Sequence, residues 1–339
     1  MRRVISFVAL AFAAIAATAG SAGACGGLVG ENGTIQLTRT TTLAAYHDGV
    51  ERYVTSFEFS GTGESVGSIV PLPGIPTKVE RGGDWTLQRL QREIAPPVPQ
   101  TAFADAAGAS ALRSAEVLQQ TQVDALDITI LRGGGDEVGK WAIDNGFFLT
   151  PDAPEVLDFY SHRSKIFMAA RFDASRAAEL GQQSGDGTPI MLTIPTDEPW
   201  VPLRILSLGL DSSQIVNADV FLLTDQRPTV LAADTGVDVT RSEPASSSLL
   251  DDLRSDKHMG WVPDSMWFTY YAVSTPAGEL RHDLAVSTRT DTLPSARMAG
   301  FTTDASPYDD PSWWVPVLLL GVPLALVGFG AVLVRRRAS

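Results

Sequence analysis

In "RYVTSFEFS" Tyr53, Thr55, Phe57 and Phe59 fall on one face, the period of two that marks a half-buried strand. "VGSIVPLP" stays extended and is closed by Pro71 and Pro73, which cannot donate to a ladder. Strand-like runs continue at 126–131, 166–171, 190–194, 203–208, 219–223, 266–273 and 279–287. Between them the period changes. In "DWTLQRLQREI" Leu87, Leu90 and Ile94 recur at helical spacing, and Asp84 stands where a cap belongs. Further helices are expected over 136–145, over 153–161, and through "SSSLLDDLRSD", where Leu249, Leu250 and Leu253 share one side. Strands and helices do not alternate strictly. The pattern predicts an α+β fold, β-rich and mainly antiparallel with a few short helices, rather than a wound parallel sheet.

Two apolar runs bracket this region. Residues 1–24 have the form of a secretory signal: Arg2 and Arg3, an apolar stretch too short to span a bilayer, then small residues ending in Ala22, Gly23 and Ala24. The second run opens at Val315 and closes at Val334, 20 residues without a charge. At about 1.5 Å per residue such a helix crosses a bilayer core of about 30 Å. Trp313 and Trp314 precede it as interfacial anchors; Arg335, Arg336 and Arg337 come after it and belong on the cytoplasmic side. The expected organisation is a signal peptide over 1–24, an exported domain over 25–286 in one body or two lobes, a juxtamembrane stalk over 287–312, a transmembrane helix over 313–334 and a cytoplasmic tail over 335–339. The stalk assignment rests on the lack of apolar period over 287–311. The Pro- and Ala-rich stretch 95–110 and "GQQSGDGTP" read as a loop and a turn.

Charge and cysteine content narrow the partners. Lys and Arg total 26 against 39 Asp and Glu, a net charge of −13 that argues against nucleic acid. The one cysteine, Cys25, can make neither an internal disulfide nor a thiolate metal cage, so the fold must rest on its core. Ala22 stands where a lipobox has Leu, and small residues separate Cys25 from the hydrophobic run. Cys25 therefore reads as an unlipidated first residue of the mature chain, and the bilayer is met through the run from Val315 to Val334.

Three motifs invite catalysis or metal binding. "GESVG" at 63–67 matches G-x-S-x-G and would make Ser65 the nucleophile of an exported hydrolase. Two prolines and β-branched residues after it cannot open the required helix, so the stretch reads as a hairpin turn feeding a strand. "GGDEVGKW" resembles a phosphate-binding loop, but Trp141 takes the place of the Ser or Thr, and Asp136 and Glu137 would oppose phosphates. It reads better as a turn at 133–135 and a helix capped by Asp136, with Val138, Trp141 and Ala142 inward and Gly146 as a left-handed terminus. His47, His162, His258 and His282 show no ligand spacing, and at His47-Asp48 and His282-Asp283 strand neighbours should point to opposite faces. No catalytic, cofactor or metal set emerges.

"ACGGL" after the signal, "SIVPLPGIPTKVE" before "WTLQRL", "WAIDNGFFLTP" in mid-chain, "IMLTIPTDEPWVPLRI" and the C-terminal anchor together resemble the bacterial domain of unknown function 2330 family in its actinobacterial form. The resemblance implies an envelope protein with a signal peptide, often a C-terminal anchor, and no established activity or catalytic residues. Trp200, flanked by Pro199 and Pro202, is the candidate ligand ledge, with a packed core corner as the alternative. The expected function is a membrane-anchored, non-enzymatic module that binds an envelope protein or cell-wall component. The rivals are an exported hydrolase using Ser65 and the ectodomain of an envelope signalling complex; the five residues after Val334 are few for a cytoplasmic output domain.

Overall fold

The computed structural model describes residues 27–30, 40–57, 66–95, 115–182, 188–289 and 292–301. The chain divides after Gly300, and every element below lies in the first unit. In chain order it begins β1 (Gly27–Gly30), β2 (Thr40–His47), β3 (Val50–Phe57), β4 (Val66–Pro71), β5 (Lys78–Arg81) and α1 (Thr86–Ile94). Next come β6 (Glu116–Val123), β7 (Leu126–Arg132), α2 (Gly135–Asp144), α3 (Ala153–Ser161), β8 (Ile166–Phe172), α4 (Ala174–Leu180) and β9 (Thr188–Pro195). It closes with β10 (Trp200–Val201), β11 (Ile215–Thr224), β12 (Thr229–Leu231), β13 (Val237–Pro244), α5 (Ser247–Ser255), β14 (Trp267–Pro276), β15 (Leu284–Ser287) and α6 (Ala296–Ala299).

The strands form a seven-stranded sheet in the order β13-β14-β11-β2-β3-β9-β5, a five-stranded sheet β1-β4-β8-β7-β6, and a three-stranded sheet β10-β15-β12. Among the described residues every ladder is antiparallel except β2 with β11. This is the β-rich α+β class with short helices. Among the described residues no helix is long and apolar enough to cross a membrane; the run from Val315 to Val334 and the segment 1–24 lie outside them.

Side-chain alternation builds the layers. On β11, Val216, Ala218, Val220 and Leu222 join a core shared with Ile128, Ile130, Val70 and Met168 of the five-stranded sheet. Phe221 and Leu223 point the other way, onto Leu87 and Leu90 of α1 and Leu249, Leu250 and Leu253 of α5. The seven-stranded sheet is thus covered on both faces. That explains why β2, "TTTLAAYH", shows no clean alternation in sequence: its first six residues are all buried. β8 is likewise sandwiched, with Met168 and Ala170 towards the sheet core and Phe167 and Ala169 buried on the outer face.

Several expectations are corrected. The stretch 203–208 is no strand: Arg204–Ser207 form a 3-10 turn, because side chains take the backbone donors a ladder would use. The N–H groups of Leu203 and Arg204 donate to Asp283, and that of Ile205 to the Tyr160 hydroxyl. Of 279–287 only β15 is strand. The start of the expected stalk is folded into the domain: α6 buries Met298 and Ala299, and the Asp283 N–H donates to the Ala299 carbonyl. Asp84 does not cap α1. Asp256, just beyond α5, instead holds the turn that leads into the helix, from 172 residues away, accepting from the Asp84 and Trp85 N–H groups and the Thr86 hydroxyl at 3.1, 3.0 and 2.8 Å. Nor does Asp136 cap α2; the cap is Gly134, whose N–H donates to Glu137. Val138, Trp141 and Ala142 face inward, and Gly146 takes the left-handed conformation.

Candidate functional site

A cleft of about 430 Å³ opens on the outer face of the five-stranded sheet, beside α2. Its floor is set by strand register. Gln120 of β6 lies opposite Thr129 of β7, which lies opposite Ala169 of β8. One row along, Gln122, Asp127 and Arg171 are aligned in the same way. Inward alternation of Ile128 and Ile130 forces Asp127 and Thr129 outward. Gln120 and Gln122 are exposed at the rim, while Thr129, Trp141, Asn145 and Phe147 are buried at the deep end.

The wall is set by α2 and the turn after it. Asn145 donates its side-chain amide to the Trp141 carbonyl at 2.7 Å, and Trp141 packs against Phe147 with ring centroids 5.8 Å apart. Phe147 lies over β4 because position 67 is glycine; a Cβ there would collide with its ring. This gives the last glycine of "GESVG" a packing role. Arg171 donates to the Asn145 carbonyl at 2.8 Å, and burial lowers its pKa from the usual guanidinium value, against the pull of Asp127 and Asp173. Asp127 is held by Arg176 at 2.9 Å, and Arg176 also reaches Asp173 at 3.2 Å. With its amide oxygen turned towards Arg176, Gln122 accepts from Nη1 and Nε at 3.0 and 2.6 Å. The lining holds planar amides, one carboxylate, one guanidinium, two threonine hydroxyls and two aromatic rings. Among the described residues it contains no Ser, Cys or His.

The residues marked in the sequence do not meet here. Ser65 lies outside the described residues, and the chain from Val66 onward is strand β4. β4 pairs with β1 and β8 while β3 belongs to the other sheet, so β3 and β4 do not form a hairpin with each other. Cys25 is also outside the described residues. Trp200 is wholly buried and stacked on Tyr160, with centroids 5.7 Å apart, so it is the core corner and presents no ledge. Lys140 pairs with Asp144 along the surface of α2 instead of facing a phosphate.

The histidines divide. His282 pairs with Asp234 at 2.7 Å while Asp283 turns inward, so the two side chains point apart, although both stand just before β15 rather than within a strand. At His47 the expectation fails. Asp48 and Gly49 take positive φ, 50° and 76°, in the two-residue turn between β2 and β3, and this curls the Asp48 carboxylate back to 3.3 Å from His47 Nε2. Asp225 reaches the other ring nitrogen at 2.5 Å. These three side chains could hold a cation by distance, but they form a surface hydrogen-bonded group, and exposed carboxylates gather readily without a metal.

Among the described residues, Asp283 and Glu51 are the most deeply enclosed carboxylates away from the cleft. Asp283 accepts from Arg163 at 2.7 Å, from Tyr160 at 3.0 Å and from two backbone N–H groups, a closed network that stitches α3, β15 and α6 together. Glu51 sits on β3 two residues before Tyr53, on the same core-facing side, fully buried. Neither of its oxygens has a partner in good hydrogen-bond geometry. Burial pushes its carboxyl up to about 8, with the Trp200 backbone N–H offsetting part of the effect.

Sequence reasoning missed the cleft residues. The available signal was the outward set of the strand over 126–131, together with the polar run in "EVLQQTQV". Nothing in either run indicates that α2 closes over one end.

No curated protein matches the chain. Among solved structures it is similar to the crystal structure of baculovirus P35, at 10% identity over 75% of this chain and 97% of that one, with a TM-score of 0.37. It is also similar to a chain of the caspase-8/P35 complex, at 9% identity over 74% of this chain and 90% of that one, with a TM-score of 0.34. Residues 19–248 match the family described as an uncharacterized protein conserved in bacteria, DUF2330. That match spans more than half of the 339 residues, and the chain belongs to the DUF2330 family.

Proposed function

We propose that this chain is an exported, membrane-anchored module of the bacterial envelope, and that it binds a wall component or other small ligand in the cleft between β6, β7, β8 and α2 without transforming it. The observation that carries the reading is the chemistry of the lining. Hydrogen-bonding groups converge on an apolar end, as in ligand sites; among the described residues the single carboxylate, Asp127, is engaged by Arg176, and no serine, cysteine or histidine accompanies it. The Ser65 reading is disfavoured because a strand comes directly after that residue, where an elbow needs a helix. Anchoring is supported by the uncharged run ending at Val334 and the three arginines after it.

Two measurements test this. A cysteine at Leu293, which is 85% exposed, should be labelled in intact cells by a membrane-impermeant maleimide in a Cys25→Ser background. The purified full chain should co-sediment with isolated envelope material, and Gln120→Ala should weaken that retention. A protected cysteine defeats the topology; retention unchanged by cleft substitutions defeats the site.

A further inference from the structure

Resting on the reading of the cleft as a ligand site, we infer that its ligand is a neutral saccharide of one or two rings. The charge arrangement comes first. Arg171 and Asp127 face each other across one strand pair, and behind them Arg176 and Asp173 balance in turn. An anion entering the cleft gains Arg171 but lies beside the Asp127 carboxylate, and a cation gains Asp127 but lies beside Arg171, so for either the attraction is offset by a neighbouring like charge while its desolvation cost remains. A polyol carries no such charge, and each hydroxyl both donates and accepts. It can donate to Asp127 and accept from Arg171 at once.

Spacing comes next. Directly opposed cross-strand side chains start about 4.5–5.5 Å apart, and rows two residues apart on a strand are separated by about 7 Å. The row of Gln122, Asp127 and Arg171 and the row of Gln120 and Thr129 therefore set out a grid of planar amide, carboxylate, guanidinium and hydroxyl groups. Such a grid suits hydroxyls distributed around a ring. A purely apolar ligand would leave these groups unpaired. At the deep end Trp141 and Phe147 supply an apolar wall for the C–H surface of a sugar. The volume of about 430 Å³ falls in the range of small-molecule sites, about 300–1,000 Å³.

The test uses the purified full chain in a detergent without a sugar head group. Isothermal titration is run with N,N′-diacetylchitobiose and maltose as neutral probes, glucuronate as the anion and glucosamine as the cation. At least one neutral disaccharide should bind saturably. Gln120→Leu, at an exposed rim position that leaves the core untouched, and Thr129→Val, which keeps the shape of the side chain, should each weaken it about tenfold. Tighter binding of glucuronate or glucosamine than of both neutral probes overturns the inference. So does neutral-sugar binding that both variants leave unchanged. If no sugar binds while envelope co-sedimentation persists and depends on Gln120, the saccharide inference falls and the binding-module reading stands. If neither assay responds to Gln120, both fall.

Discussion

Replacing Glu51 by Gln should stabilise the protein at neutral pH, an unusual outcome for a fully buried position. Glu51 has an ordinary value of 4.5 and is pushed up to about 8 by burial. Between these two values the folded protein keeps a proton that the unfolded chain has released. Stability therefore falls as pH rises through that window, by about 1.4 kcal/mol per pH unit. The whole span corresponds to about 5 kcal/mol, of which about 3 kcal/mol is already lost at pH 7. Glutamine has the shape of the protonated side chain and cannot ionise. Glu51→Gln should thus match the natural protein near pH 4.5 and exceed it by about 3 kcal/mol at pH 7. Urea unfolding monitored by tryptophan fluorescence at pH 5, 7 and 8 would measure this. With slopes of about 1–3 kcal/mol per molar, the midpoints at pH 7 should separate by about 1 M or more. Other carboxylates titrate in both proteins and cancel in the difference. A stability difference independent of pH, or a Gln variant weaker at pH 7, would refute the reasoning.

Asp256→Ala removes the acceptor of three hydrogen bonds at the start of α1, and should lower stability by about 2–3 kcal/mol in thermal melting, with Asp256→Asn retaining part of it. Gly67→Ala should cost about 1–3 kcal/mol through collision with Phe147, and Phe147→Leu in the same chain should restore most of the loss. Arg163→Met leaves Asp283 buried without its cation and should cost about 3–5 kcal/mol in denaturant unfolding; a near-neutral result would mean that the network does not hold α6 in place. Intact-mass analysis should find Cys25 without a diacylglyceryl group, and that mass increase would show the N-terminus to be lipid-anchored.

The periodic elements were readable because periodicity is local. The helix expected over 153–161 is α3, and the leucines of "SSSLLDDLRSD" face a sheet as one stripe. Prolines at strand ends and the left-handed Gly146 are consequences of backbone chemistry that acts within a few residues. Elements whose partners are remote were harder to read. β2 is buried on both faces and carries three threonines, so neither alternation nor an apolar run marks it. α6 is four residues long. It is held by Asp283 and by Arg163, which reaches the Met298 carbonyl from 135 residues away, so its own sequence reads as a stalk.

By itself the sequence determined the β-rich α+β class, most helix positions and the DUF2330 family, since each depends on short-range pattern. Only the tertiary structure decided that Trp200 is core, that Asp256 holds the turn into α1 from 172 residues away, and that Gln120, Asp127 and Arg171 share one cleft. These outcomes depend on strand register and on which layer covers which face. Both arise from the joint burial of side chains far apart in the chain, and no local stretch encodes that burial alone.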